Sequence, residues 1–306
     1  MRKFLITAMA MAILMLANSC TKQESVRKQE NISVRFVAQQ ITDSELTKSA
    51  YVDGQFQWSE KDTVGIYPDS GSQIYFSMSE GAGTSTATFD GGGWGFRSGA
   101  VYYSYYPFIA DFYLDRHRIP VSLTGQIQNG ASNLDHFGQY DYMYTPAAEE
   151  NAGTIVFSYM HLVCIIRVTA TLPAGTYRQI TITAPSAVFA RKGFFDLQSK
   201  APRIIATESS KELTVAFKDP IAVNGSQQFM AYLISNPVNL KDTEIKVSAV
   251  DSNKKQQFDC KKIPSKNYEP ATINGLSCTS WTEVPQTVGL AIDDWGQGGS
   301  YSGEAE

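Results

Sequence analysis

The middle of the chain carries its longest run of strand-favouring residues, residues 154–171 (TIVFSYMHLVCIIRVTAT). Within it, residues 163–166 (VCII) are consecutive and apolar, a pattern typical of a strand that is buried on both faces. Helix is the competing interpretation of a short apolar run. The β-branched residues, the Pro-Ala-Gly turn signal at residues 173–175 and the absence of helix caps favour strand. We therefore expect one β unit to end in this stretch and a second to begin.

Short strand-like segments recur roughly every ten residues along the rest of the chain, with turn signals between them. No convincing amphipathic helix is predicted. The chain has 306 residues, of which 43% are hydrophobic and 18% are charged, and this length suits two domains with separate cores. We expect an all-β protein with two tandem β-sandwich domains, at residues 31–160 and 161–295, followed by a flexible tail at residues 296–306.

The N-terminus resembles a bacterial lipoprotein signal peptide. An apolar stretch at residues 4–16 follows a short positive region and is too short to span a bilayer. Residues 16–20 (LANSC) then resemble a lipobox, in which small residues precede a cysteine that is lipidated and becomes the mature N-terminus. The resemblance implies removal of the signal peptide, acyl chains such as palmitate on Cys20, a polar tether at residues 21–30 and a place in a Gram-negative outer membrane. An ordinary signal peptide that happens to contain a cysteine is the alternative.

The first strand is predicted where apolar and other residues alternate just after the tether. Ile32, Val34, Phe36 and Ala38 occupy every second position, which is typical of a half-buried strand. The next segment, residues 39–49, is a polar loop without a turn glycine and is long for a compact domain. Loops of this kind are often functional or open to proteolysis.

The sequence carries no pattern that indicates catalysis, a metal site or a cofactor. It has three histidines and lacks the HExxH, GxSxG and CxxC patterns, and the glycine-rich residues 91–95 are followed by neither Lys-Ser/Thr nor a helix. The net charge is −4 and the pI is near 5.5, so nucleic acid is not an expected partner. We expect a protein that is not an enzyme.

Three cysteines remain after the lipobox. Cys164 lies inside the apolar run and is interpreted as a small core residue. Cys260 and Cys278 could form a disulfide in an oxidising envelope, or both could stay free. In the same half of the chain, residues 187–197 are interpreted as a hairpin that turns at Lys192-Gly193.

Aromatic residues cluster around residue 100. Residues 99–108 (GAVYYSYYPF) form a predicted strand with rings on both faces, and Trp94 precedes it. Exposed rings such as Trp94, Tyr103 and Tyr105 could stack on sugars or on a partner protein. In the alternative interpretation, alternate rings fill the core and the others cover a sheet edge.

Several short motifs together resemble the fimbrillin-like proteins of Bacteroidetes, the subunits of type V pili. The resemblance runs through most of the mature chain, and its more specific parts are the order and spacing of W…D-x-V-G-I-Y and of V-x-F…H-L. The matching pieces are the lipobox, the first strand, and residues 47–50 (TKSA), 56–58 (FQW), 62–67 (DTVGIY), 105–107 (YYP), 141–144 (DYMY), 155–157 (IVF) and 161–162 (HL).

The resemblance implies two transthyretin-like β-sandwiches and a mode of assembly. In the family, a protease cuts in the loop after the first strand, and loss of that strand leaves unpaired backbone groups and a hydrophobic groove. A segment of a neighbouring subunit then fills the groove by β-augmentation, and the contact propagates into a fibre. Transferred to this chain, the leaving strand holds Ile32, Val34, Phe36 and Ala38, and the cut falls between Lys48 and Ser49.

Two features depart from the family pattern. Lys48 stands where the family usually has Arg, which argues against an Arg-specific protease. The tail GQGGSYSGEAE after Trp295 lacks an alternating apolar pattern and is a poor donor strand. Either the predicted last strand, with Val288, Leu290 and Ile292, is itself the donor, or the subunit is a tip, an anchor or a protein that does not polymerise.

These expectations combine into one functional hypothesis and one rival. The hypothesis is a structural or adhesive subunit, or an accessory protein, of an envelope-anchored type V pilus. Its partners would be other pilin subunits, the outer membrane and a host protein or glycan. The rival is a monomeric surface lipoprotein that binds glycan through exposed aromatic rings.

Overall fold

The computed structural model describes the backbone of residues 33–38, and residues 57–90, 99–111, 113–149, 151, 154–253 and 255–285 in full. These residues form β-strands and connecting loops, with one short 3-10 helix at Asp135–Gln139. None of the helical structure in these ranges is long and apolar enough to cross a membrane.

Ten strands in the described ranges precede residue 163. They are β1 (Ser33–Ala38), β2 (Thr63–Pro68), β3 (Ile74–Glu80), β4 (Thr86–Asp90), β5 (Val101–Tyr106), β6 (Ile119–Ser122), β7 (Gln126–Gln128), β8 (Met143–Tyr144), β9 (Ala148–Glu149) and β10 (Thr154–His161).

Ten more strands follow in the described ranges. They are β11 (Cys164–Thr171), β12 (Gly175–Thr183), β13 (Phe189–Phe195), β14 (Ile205–Ser210), β15 (Glu212–Val223), β16 (Gln228–Ser235), β17 (Ile245–Asp251), β18 (Gln256–Lys262), β19 (Ile273–Cys278) and β20 (Thr282–Val284).

The first sheet closes on itself. Its strands pair in the order β2-β3-β4-β1-β10-β8-β5, and β5 pairs again with β2, so seven strands form a ring; β9 is attached to β5. The first core contains many aromatic side chains, among them Phe76, Phe89, Tyr102, Tyr105 and Phe157. Closure protects the backbone edges that an open sheet would expose.

The second half forms a β-sandwich. One sheet has the order β20-β18-β17-β12-β15-β7 and the facing sheet has the order β16-β11-β19. Apolar side chains from both sheets, such as Ile180, Val215, Val247 and Leu233, make a second core. The described cysteines Cys164, Cys260 and Cys278 are all buried and free.

The sheet β16-β11-β19 is shared between the two cores. In β11, Ile165 belongs to the first core, whereas Cys164 and Ile166 belong to the second. In β16, Ile234 and Leu233 divide in the same way. This sheet is therefore buried on both faces, which confirms the prediction made from the apolar run at residues 163–166.

Two strands from the first half pair with strands of the second half. β6 pairs antiparallel with β13, and β7 pairs parallel with β15. The amides of Gln126 and Gln128 also bond the outer edge of β16: each accepts a backbone N–H, of Ile234 and Tyr232 respectively, at 2.8 Å. These strands precede the expected domain boundary at residue 160, yet they are built into sheets whose other strands follow it.

The hairpin expected at Lys192-Gly193 is wrong. Both residues lie inside β13, which pairs with β14 through a register irregularity at this point. A Cβ at Gly193 would lie 2.5 Å from the carbonyl oxygen of Ile205, so glycine is required by the close approach of the neighbouring backbone. The glycine marks an irregularity in a strand and not a turn.

Candidate functional site

β1 fills a gap between two strands that are far apart in the sequence. It pairs in parallel with β10 over six residues and antiparallel with β4 over four. Without β1, the ring would end at β4 on one side and at β10 on the other. We refer to this gap, together with the side chains of β4 and β10 that face the core beneath it, as the β1 slot.

The alternation predicted for the first strand agrees with the register of the slot. Val34, Phe36 and Ala38 occupy the backbone positions that align with inward-facing residues of the two neighbouring strands. The aligned residues are Ile155 and Phe89 for Val34, Phe157 and Ala87 for Phe36, and Tyr159 for Ala38. The positions between them, Arg35 and Val37, align with the exposed residues Val156 and Ser158 of β10.

The floor of the slot is apolar and well packed. Ile155, Phe157, Tyr159 and Phe89 are completely buried, and Ala87 is 2% exposed. Each large side chain of this kind contributes roughly 1.5–3 kcal/mol by being buried. Loss of β1 would bring part of this surface into water, which gives a strong driving force for another strand to replace it.

An indole joins the floor to the rest of the ring. The Trp58 ring meets Phe89 of β4, Tyr159 of β10 and Tyr106 of β5 edge-on, at centroid distances of 5.1, 5.4 and 5.5 Å. Edge-to-face geometry is favourable for aromatic pairs beyond the area they bury. The indole therefore holds three strands of the ring together beneath the slot.

Polar groups anchor the same floor from within. The Tyr106 hydroxyl donates to Asp62 Oδ1 at 2.9 Å, and Asp62 Oδ2 accepts the backbone N–H of Ser59 at 2.7 Å. The hydroxyl of Tyr159 shares a short hydrogen bond with Ser104 Oγ. Because buried polar groups are costly unless paired, these bonds fix the positions of the rings that carry them.

A buried pair of a histidine and a carboxyl group lies in the same region. His161 Nδ1 and Asp141 Oδ1 are 2.5 Å apart, and both side chains are fully buried. Burial raises the pKa of Asp141, and the neighbouring His161 opposes that shift. Asp62 has a raised pKa for the same reason, burial, and the nearby Asp141 carboxylate adds to it. The pair ties β10 to the loop that leads into β8.

The arrangement is suited to holding a β-strand. In the described ranges, no group of three or more His, Cys, Asp or Glu side chains could hold a metal ion. The Asp141–His161 pair is sealed from solvent, so it cannot meet a substrate. The slot offers backbone groups on two sides and apolar side chains below, which is the arrangement that a β-strand requires of its neighbours.

Several predicted site residues lie outside the described residues. They are the lipidation site Cys20, the first residue of the leaving strand Ile32, the processing residues Lys48 and Ser49, the aromatic residue Trp94, and the donor residues Val288, Leu290 and Ile292. Their roles remain predictions.

The interpretation of Tyr105 as an exposed ring is wrong. Tyr105 is completely buried, and its hydroxyl donates to Gln73 Oε1 at 2.6 Å. Tyr103 is half-buried and packs against the first core. The strand is covered on both faces, so alternate rings do not stand free. The exposed tyrosines in the described ranges are Tyr75 and Tyr113, at 49% and 89%, and the sequence pattern did not distinguish them.

One residue of the D-x-V-G-I-Y motif has a role that the sequence alone did not reveal. Gly65 of β2 pairs with Tyr105 of β5, and the Tyr105 ring lies directly over the glycine. A Cβ at Gly65 would come within 2.6 Å of Tyr105 Cζ. The glycine is thus required so that the aromatic ring can cross the strand.

The described fold is similar to a solved bacterial structure. A putative cell adhesion protein from Bacteroides ovatus matches with a TM-score of 0.52 and 13% identity, over 85% of this chain and 97% of that chain. This likeness confirms the all-β sandwich fold that the resemblance to fimbrillin-like proteins implied.

Two further structures match with lower TM-scores. A fimbrial protein from Bacteroides ovatus matches with a TM-score of 0.40 and 11% identity, over 81% of this chain and 48% of that chain. The fimbrial anchor protein Mfa2 from Porphyromonas gingivalis matches with a TM-score of 0.34 and 10% identity, over 76% of this chain and 81% of that chain. No protein-family model and no curated protein matches the sequence.

Proposed function

We propose that this protein is a structural or adhesive subunit, or an accessory protein, of an envelope-anchored type V pilus. It is assembled by strand exchange: β1 is removed, and a strand of a neighbouring subunit takes its place in the β1 slot. The protein acts by binding and not by catalysis. Its two β-sandwich domains meet near residue 160.

The position of β1 is the observation that carries the proposal. β1 is joined to the ring by hydrogen bonds on both sides, while 24 residues (39–62) separate it from β2. A cut in this segment would leave β1 held by non-covalent contacts alone. Its departure would open a closed ring at one place, between β4 and β10.

The remaining parts of the proposal rest on the sequence. Cys20 carries the lipid and anchors the precursor in the outer membrane, and the cut falls between Lys48 and Ser49. The donor strand is supplied by another pilin subunit or by a second copy through residues 288–295. A host protein or glycan is the target of adhesion.

The rival function, a monomeric lipoprotein that binds glycan, has less support among the described residues. Of the three rings first considered, Tyr105 is buried and Tyr103 is half-buried. A glycan site would depend on Trp94 or on exposed rings elsewhere, such as Tyr75 and Tyr113.

The test is a controlled cut after β1. Residues 21–306 are produced without lipid, with the recognition sequence of a site-specific protease replacing residues 43–49. The cut protein is then run unboiled on a denaturing gel. Strand exchange predicts a ladder of oligomers that collapses to monomer on boiling.

A matched control places the same protease sequence in the exposed turn at residues 224–227. A cut there leaves β1 attached, so the protein is expected to remain monomeric. If the protein cut after β1 yields only nicked monomer, even at high concentration of the cut protein, assembly through the β1 slot is refuted.

A further inference from the structure

The two walls of the β1 slot change in size along its length. At the level of Val34 both walls are large, with Phe89 on β4 and Ile155 on β10. At the level of Phe36 the wall on β4 is Ala87, opposite Phe157. At the level of Ala38 the wall on β10 is Tyr159, and β4 offers no paired residue.

The middle level is therefore the deepest part of the slot. Alanine carries a single methyl group, and Ala87 is the smallest side chain among the paired walls. The Trp58 ring contacts Phe89 at one end of the slot and Tyr159 at the other, so an aromatic surface extends beneath the middle level. A large apolar side chain is needed to fill this space, because an unfilled cavity in a close-packed core is costly.

The slot also distinguishes the two directions of an inserted strand. Its β10 side forms a parallel ladder with β1 and its β4 side an antiparallel ladder. Parallel and antiparallel ladders place their hydrogen bonds differently, so a strand that runs the opposite way would have to pair with each wall through a different set of bonds.

We propose that the β1 slot selects its donor by one residue: a large aromatic side chain at the middle inward position of a strand that runs parallel to β10. The occupant is a strand of a partner subunit with a medium, a large aromatic and a small residue at three alternate positions. This inference rests on the proposed strand exchange and specifies which strand is accepted.

The test uses the full chain with the protease sequence at residues 43–49, cut so that β1 stays in place by non-covalent contacts. Fluorescent peptides then compete with β1 for the slot, and their binding is followed by anisotropy. Three peptides are compared: residues 31–39 (NISVRFVAQ), the same peptide with Phe36→Ala, and the same peptide with Val34→Ala.

The two substitutions are expected to differ strongly. Phe36→Ala should weaken binding several hundred-fold, in the range of core Phe-to-Ala changes. Val34→Ala should weaken it only about tenfold, because it removes two methyl groups at a shallow level. A peptide of residues 285–293, which places Leu290 at the position of Phe36, should bind less tightly than the parent peptide. Equal or tighter binding of that peptide would refute the preference for an aromatic residue.

A change in the slot supplies a complementary test. Ala87→Leu fills the space at the middle level, so it should weaken the binding of the parent peptide. The Phe36→Ala peptide should then bind this variant as tightly as the parent peptide does, or more tightly. Thr88→Val is the matched control, because Thr88 is the next residue on β4 and belongs to the opposite face. It should leave the order of the peptides unchanged.

The outcomes separate this inference from the proposed function. If both alanine peptides lose affinity equally, or if Ala87→Leu does not alter their order, selection at the middle level is refuted while strand exchange stands. If no peptide enters the slot at any concentration, strand exchange itself is refuted and the inference falls with it.

Discussion

Replacing Gly65 by Ala should destabilise the ring by forcing a methyl group into the Tyr105 ring. The added Cβ would lie 2.6 Å from Tyr105 Cζ and 2.9 Å from its hydroxyl oxygen. The ring cannot easily move away. Its hydroxyl donates to Gln73 and accepts the backbone N–H of Ile109, and Tyr67 stacks beside it.

The size of the effect follows from this confinement. Inserting one methyl group into a well-packed core typically costs about 1–3 kcal/mol, and the contact here is with a ring held at both its face and its hydroxyl. We expect a loss at the upper end of that range, near 3 kcal/mol. For a chain of this length each kcal/mol lowers the melting temperature by roughly 2–4 °C.

The assay is urea unfolding followed by tryptophan fluorescence, with thermal unfolding as a second measurement. Gly138→Ala is the matched control. Apart from its neighbours along the chain, the atom nearest to an added Cβ at Gly138 is Tyr106 Oη, at 3.8 Å, and the φ of Gly138 is not positive. It should change the free energy of unfolding by less than about 1 kcal/mol.

A double-mutant cycle separates the clash from other effects of alanine. Tyr105→Ala removes the ring, so Gly65→Ala should cost about 1–3 kcal/mol less in that background than in the parent protein. If the two losses simply add, or if Gly65→Ala is as harmless as Gly138→Ala, the ring does not determine the need for glycine and the reasoning is refuted.

Two further predictions concern buried charge. Asp141→Asn replaces the buried carboxyl group beside His161 with a neutral amide and should cost about 3–5 kcal/mol of unfolding free energy. Asp196→Asn, which breaks the exposed pair with His117, should cost about 1 kcal/mol or less, and similar urea midpoints for the two variants would contradict the buried role. Burial lowers the pKa of His136, so the folded protein binds fewer protons than the unfolded chain just below pH 6.5. Stability should therefore fall as the pH drops through about 6.5, and the fall should be smaller in His136→Gln, whereas parallel pH profiles of the parent and the variant would contradict it.

Much of the first half could be predicted from short motifs because their residues meet in space. Trp58 and Asp62 both contact Tyr106, through its ring and its hydroxyl respectively. Asp141 and His161, from two other motifs, form the buried pair. Each motif was weak by itself, yet together they describe one buried network beneath one slot. The alternation of the first strand likewise predicted a half-buried strand, and Val34, Phe36 and Ala38 align with inward-facing residues of its neighbours because the pleat has a period of two.

Other features depend on contacts that no local pattern encodes. The Tyr105 ring could not be distinguished from an exposed ring, because its burial depends on a glycine that lies 40 residues earlier in the chain. The short strands β6 and β7 carry too few residues for a period to be read, and their partners follow far along the chain. Lys192-Gly193 has the composition of a turn, but glycine is needed at residue 193 because the backbone of Ile205 on the paired strand approaches it closely.

The connections of the two strands that flank the slot explain why β1, rather than a neighbour, is suited to exchange. β10 continues through residues 162 and 163 into β11, and the two faces of β11 are buried in two different cores. β4 remains paired with β3, and its Phe89 is held by the Trp58 indole. Neither strand can leave without disrupting a core. β1 is bound by backbone ladders and by the floor beneath it. A single cut in residues 39–56 would therefore remove its covalent link to the rest of the ring. If strand exchange occurs as proposed, these connections place it at the β1 slot, because β4 and β10 stay attached to their cores when β1 leaves.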